Sequence, residues 1–181
     1  VRVAYFPGAV AEDEPSYAVS PEYVAPGAEI REYDEPGIHV IETRLLRIRI
    51  RTEEQKVDFY DIVTDEPLLT DESGFGRESK DWTGDCRVWI RKRLQETEHF
   101  FGLGDKPCAL NLRGKYFSMW GADHYDFHEE SDPLYKSIPF FLSLREGRAY
   151  GLLFDNTCRS YFDFGATDET VLSFGSFGGL M

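Results

Sequence analysis

No run of apolar residues in this sequence approaches the ~18 that a membrane-spanning helix needs, so helices are not expected to carry it across a bilayer. Nor does any window of about 11 residues hold a helical period, which argues against a helical core. The start at Val1 carries no signal-peptide pattern, and the chain has no internal repeat or low-complexity tract. Cysteine is scarce and odd in number: Cys86, Cys108 and Cys158, with no Cys-x-x-Cys pair. That excludes a full disulfide framework and a zinc knuckle. One disulfide plus a free thiol stays open beside three reduced thiols in a reducing compartment, and the latter reading favours the cytoplasm. Basic residues are outnumbered, 20 against 33 acidic, for a net charge of -13. A field of that sign repels phosphate backbones and anionic lipid, so neither nucleic acid nor a membrane surface is an expected partner.

What the chain has in quantity is aromatic side chains and period-two alternation. Aromatics make up 15% of its 181 residues, mainly 14 Phe and 10 Tyr, and such rings pack well on a pleated surface. In Thr43 to Arg51, Leu46, Ile48 and Ile50 share one face of a strand, with Arg47, Arg49 and Arg51 on the other. From Cys86 to Leu94, Cys86, Val88 and Ile90 oppose Arg87, Trp89, Arg91 and Arg93. In so acidic a chain these arginine rows are expected to be solvated or ion-paired. Val1 already reads as part of a strand. Ile138–Leu144 and Tyr150–Phe154 form a hairpin around Arg145-Glu146-Gly147-Arg148, nearly continuous in apolar residues and so expected to be covered on both faces. Cys158–Phe164 and Thr170–Phe174 form a further pair. Turns are marked by Pro7-Gly8, Pro26-Gly27, Pro36-Gly37, Ser73-Gly74, Thr83-Gly84 and Arg113-Gly114. Ala11–Pro15 and Asp65–Glu72 read as acidic loops. The sum predicts an all-β sandwich of antiparallel strands, a single domain over residues 1–181.

Chemistry concentrates in Met119-Trp120-Gly121-Ala122-Asp123-His124-Tyr125-Asp126-Phe127-His128. Rings beside carboxylates suit a sugar, whose C–H face stacks while its hydroxyls donate to acidic oxygens. On a strand, His124 and His128 would share a face with Asp126 between them, so metal binding, a solvated acidic loop and a sugar-contacting loop are all weighed. Gly102-x-Gly104-Asp105-Lys106 lacks phosphate-loop spacing and no helix follows it, so its glycines are expected to bend a strand or admit another backbone. No serine stands in a G-x-S-x-G elbow. Asp123 with Asp126, or Asp155 with Asp163, are carboxylate pairs by residue type only.

Glu98-His99-Phe100-Phe101-Gly102-Leu103-Gly104-Asp105-Lys106, then Met119-Trp120-x-x-Asp123-x-Tyr125, resemble the amino-terminal domain of glycoside hydrolase family 31, the α-glucosidase family. Asp132-Pro133-Leu134-Tyr135-Lys136-Ser137-Ile138-Pro139-Phe140, Tyr150-Gly151-Leu152-Leu153-Phe154-Asp155-Asn156 and Arg159-Ser160-Tyr161-Phe162-Asp163-Phe164-Gly165 continue the likeness in order. The resemblance implies a galactose-mutarotase-like β-sandwich. It also implies a retaining α-glucosidase whose nucleophile and general acid are aspartates of a following (β/α)8 barrel, with no cofactor and an α-glucoside or oligosaccharide as substrate. The chain is then expected to be a fragment, inactive alone, contributing a loop to the barrel's pocket.

By the same resemblance, Asp123 accepts from a sugar hydroxyl, Trp120 and Tyr125 pack or stack, and His124 lies beside them. Gly121-Ala122 departs from the Asn-Thr common at this place and removes two polar side chains next to Asp123. An exposed apolar patch is expected where the barrel docks, formed partly by Phe174, Phe177, Leu180 and Met181. An autonomous carbohydrate-binding module and a mutarotase-like enzyme using His124 or His128 are the competing readings.

Overall fold

The computed structural model describes residues 1–5, 16, 18–20, 22, 27, 29–79 and 86–177, leaving aside the side chains of Ser79 and Cys86. Within these residues the chain is strands and connections, and no helix is long and apolar enough to cross a membrane. The first sheet is an antiparallel meander of β1 (Arg31–Glu35), β2 (Ile38–Glu42), β3 (Leu46–Arg51), β4 (Lys56–Asp61) and β5 (Pro67–Leu69). Ile48 is buried on the expected apolar face, while on the other face Arg47 pairs with Glu42 at 2.8 Å, Arg51 pairs with Asp58 at 2.6 Å, and Val40, opposite Arg49, is buried as well. The Pro36-Gly37 turn joins β1 to β2, with Gly37 at φ 75°, a conformation that glycine adopts without strain.

The sandwich proper follows. A five-stranded sheet is ordered β6 (Asp71–Ser79), β7 (Cys86–Arg93), β13 (Val171–Phe177), β12 (Ser160–Phe164), β9 (Tyr116–Met119). A three-stranded sheet is ordered β11 (Arg148–Leu153), β10 (Ser137–Arg145), β8 (His99–Gly104). Alternation aims Phe100 and Phe141 of the small sheet at Phe117, Phe162, Phe164 and Phe174 of the large one, and the irregular backbone at residues 102–104 turns Leu103 into the same core. Phe141 meets Phe100, Phe162 and Phe164 edge-on, with centroids 5.6, 5.8 and 5.3 Å apart. Such geometry adds about 0.5–1.5 kcal/mol per pair beyond the area it hides. The glycines of β8 do what their spacing suggests. A Cβ on Gly102 or Gly104 would lie 2.6 Å from the Phe140 carbonyl oxygen or 2.7 Å from that of Lys136, so β10 can approach only a bare backbone.

Polar groups tie the meander to the large sheet. The Asp58 carboxylate accepts the Asp71 N–H at 2.7 Å, and Asp71 accepts the Val57 N–H at 2.6 Å. Lys92, on the inward side of β7, donates to the Val57 carbonyl and pairs with Asp71, each at 2.8 Å. Burial pulls the Lys92 ammonium below its usual range and the Asp71 carboxylate works against that shift.

Several expectations need correction. Ser73-Gly74 lies inside β6, where the register against β7 slips, and not in a turn. Asp65–Glu72 is not one solvated loop: it contains β5 and the start of β6, and Asp71 is buried. Val1–Val3 are exposed and outside any strand. The hairpin β10–β11 is covered on its inner face only. Ile138, Phe140, Leu142, Leu144 and Leu153 are exposed on the outer one. Pro7-Gly8, Pro26, Ala11–Pro15 and Thr83-Gly84 lie outside the described residues.

Candidate functional site

The connection from β9 to β10 carries the aromatic and acidic block. β9 ends on Met119, buried, and the next residue in the alternation, Trp120, turns outward and is 51% exposed. From there to Glu130 the chain is irregular, and Asp123, His124, Asp126 and His128 are exposed. Tyr125 stands fully clear of the protein, 99% exposed.

The root of this loop is held as firmly as its tip is bare. The Ala122 N–H donates to the Leu134 carbonyl at 3.1 Å, joining the two legs. The Tyr135 hydroxyl donates to the His124 carbonyl, and its ring meets Phe127 edge-on. Farther along, the His128 N–H donates to Ser131 Oγ at 3.0 Å and the Glu130 N–H to the Pro107 carbonyl at 2.8 Å. Beneath lies the anchor. Asp132 accepts from the Ser118 N–H and from Lys106 Nζ, and Lys106 also donates to the Ser118 carbonyl at 3.0 Å. Lys106 is nearly buried over the Phe117 ring, so its pairing with Asp132 is poorly screened by solvent.

All four residues singled out in the sequence, Trp120, Asp123, His124 and Tyr125, therefore fall on one anchored loop. His124 and His128 do not share a strand face, because the segment is not a strand. Among the described residues no group of three or more potential metal ligands is found. Asp163 is not poised for chemistry either. It is buried, and its carboxylate accepts the N–H groups of Gly165, Ala166 and Thr167 at 2.7 to 3.3 Å, closing the turn after β12. Cys108 and Cys158 are free thiols, and burial pushes that of Cys108 up. The patch expected at the chain's end is corrected in one member: Phe174 belongs to the core, Phe177 is 40% exposed, and Leu180 and Met181 lie outside the described residues.

The Lys106–Asp132 anchor was not foreseen. Its signal was present: a lysine two residues after a glycine-rich strand and an aspartate opening the Asp132-Pro133-Leu134-Tyr135 segment, within three residues of Leu103 and Leu134, which are buried. The geometry offers a ring-and-carboxylate rim that can accept hydrogen bonds from hydroxyls and stack on a C–H face.

The glycosyl hydrolase 31 N-terminal galactose mutarotase-like domain matches residues 1–163. An α-glucosidase 2 of Bacillus thermoamyloliquefaciens is 42% identical over 100 residues, covering 54% of this chain and 13% of that protein. An α-glucosidase of Saccharolobus solfataricus is 37% identical over 79 residues, covering 44% of this chain and 11% of that protein. This chain thus corresponds to a small part of the length of either. Among solved structures, a GH31 dextranase of Flavobacterium johnsoniae in complex with isomaltotriose superposes with a TM-score of 0.80 and 33% identity. The match covers 96% of this chain and 20% of that one. A glucosidase II α subunit, at 17% identity and TM-score 0.65 over 85% of this chain and 22% of its own, shares the fold.

Proposed function

Since the chain belongs to the glycosyl hydrolase 31 N-terminal galactose mutarotase-like domain family, we propose that it is the non-catalytic sandwich of a retaining α-glucosidase. Its loop, Trp120 to His128, rims the substrate pocket of a (β/α)8 barrel. The observation that carries this reading is the contrast within the loop: an exposed set of sugar-compatible side chains on a root fixed by Lys106 and Asp132. A binding rim needs that combination, because a side chain that must first be ordered loses part of its interaction energy to entropy.

In this reading Asp123 accepts a hydrogen bond from a hydroxyl of the terminal glucose, and the faces of Trp120 and Tyr125 pack against its ring. His124 lies beside them. The barrel supplies nucleophile and general acid, so the chain alone is expected to leave maltose intact. The exposed apolar row on β10 and β11 suits the intramolecular contact with that barrel, since solvent-facing apolar patches of this kind mark interfaces.

The test is Asp123→Ala in the full-length enzyme. One charge-assisted hydrogen bond is worth about 1.5–3 kcal/mol, so kcat/KM on maltose or isomaltose should fall at least about ten-fold. Unchanged kinetics would reduce the loop to scaffolding.

A further inference from the structure

The outer face of the large sheet carries a second feature that the loop does not explain. Register places Trp89 of β7 opposite Gly175 of β13, and Gly175 opposite Tyr161 of β12. One pair along, Arg91 lies opposite Ser173, Ser173 opposite Asp163, and Asp163 opposite Tyr116 of β9. β13 thus contributes a bare backbone and a small hydroxyl between two lines of large side chains, and the result is a trough. Its volume is about 360 Å³, within the range of small-molecule sites. The β7 and β12 backbones that carry the two lines stand two strand spacings apart, roughly 9.5 Å, with β13 as the floor between them.

The trough is built, and is more than a gap between side chains. The Trp89 indole lies so close over Gly76 that a Cβ there would sit 2.1 Å from it, which fixes the ring on the wall. Tyr116, 47% exposed, stacks at 12° on Tyr161, which is itself buried. The Arg87 guanidinium closes one end, 5.0 Å from the Tyr161 centroid, 5.6 Å from that of Phe177 and 6.0 Å from that of Trp89. On the far side Arg91 Nη2 lies 3.7 Å from Asp168, whose carboxylate already accepts from the Thr170 N–H and hydroxyl at 3.0 and 2.6 Å. Cations and carboxylates face each other across the trough, so it presents no single sign of charge. Half-exposed rings with fixed planar donors and acceptors are what a neutral, hydroxyl-rich ring engages.

We propose that this trough is an accessory oligosaccharide site, a holding position for a sugar unit remote from the one being processed. Its sugar class rests on the function proposed above; its geometry does not. Tyr116 opens β9 and Trp120 directly follows that strand on the same alternation, so trough and loop lie about 13 Å apart along one strand. A single extended glycan can therefore touch both.

The experiment has two arms. In the first, tryptophan fluorescence of the full-length protein is titrated with maltoheptaose and with isomaltotriose in a Trp120→Phe background, which silences the loop's indole. Saturable quenching that is lost in Tyr116→Ala is expected. Absence of quenching up to tens of millimolar sugar, or quenching indifferent to Tyr116→Ala, overturns the proposal. Circular dichroism accompanies each variant, and Asp168→Asn, which keeps shape and volume, is carried through in parallel should Tyr116→Ala unfold. In the second arm the ratio of KM for maltoheptaose to KM for maltose is measured, and Tyr116→Ala should raise it at least three-fold. A ratio that does not move also overturns the site. Unchanged kinetics in Asp123→Ala would instead sink the loop reading, so the two failures are distinguishable.

Discussion

The two sheets of the sandwich differ most on the sides that face away from each other. The small sheet turns Ile138, Phe140, Leu142, Leu144 and Leu153 outward, and directly beneath, at one end, it hides polar groups. There the buried Glu98 carboxylate accepts from Ser143 Oγ at 2.5 Å and from the Tyr150 hydroxyl at 2.8 Å. The large sheet has the ordinary polarity: phenylalanines inside, and Arg87, Trp89, Arg91 and Tyr116 outside. An apolar outer face suits burial against more polypeptide, while a charged and aromatic one suits a hydrated ligand. Local polarity thus separates two kinds of exposed surface on one scaffold.

The comparison can be broken at β10, where neighbours in sequence lie on opposite sides. Phe141→Ala should cost about 3–5 kcal/mol, read as a large drop in Tm, because its fully buried ring fills the core among Phe100, Phe162 and Phe164. Phe140→Ala, one residue away, should cost about 1 kcal/mol or less in the same measurement. Equal losses would mean the outer face is not a free surface at all.

The buried polar cluster at that end of the small sheet has a pH signature. Burial raises the Tyr150 phenol well above its usual 10.0, and the adjacent Glu98 carboxylate adds to the shift. A group with a raised folded-state value stabilises fully below its unfolded pKa and loses that contribution as pH climbs beyond it. Stability should therefore fall as pH rises above about 10. Tyr150→Phe should flatten this alkaline limb while removing one hydrogen bond at neutral pH, a difference visible in thermal melts across pH 7 to 11. A variant with the same alkaline slope as the parent would show that another group controls it.

The smallest free-energy effects come from the outer faces themselves, where single changes should stay within about 0.5–1 kcal/mol. They still separate the sheets by another readout. Leu142→Lys should lower binding of an apolar fluorescent dye, and Arg91→Ala should leave it where it was.

Much of this was legible in the residues. Period-two alternation located β3 and β7, apolar runs around a glycine turn located β10 and β11, and the order of motifs from Glu98 to Gly165 pointed to the family that the domain match confirms. What escaped was whatever depends on which sheet a strand joins. Continuous apolar runs such as Ile138–Leu144 were expected to be covered on both faces, yet one face is open, because sequence reports hydrophobicity and not what covers it. Phe174 was expected on the surface, but its register against Ile90 and Phe162 turns it inward. Ser73-Gly74 carried turn chemistry, and the chain absorbed it as an irregularity inside β6. The loop was found because its residue types are unusual together. Its anchor was missed because Lys106 and Asp132 are remote in sequence and meet only through the fold.

That loop leaves one sheet at β9 and enters the other at β10. It is consequently a pointer spanning two plates, its two ends held by different sheets. The packing of Phe141 against Phe162 and Phe164 clamps those two plates, so the core that seals the sandwich also sets where the pointer stands.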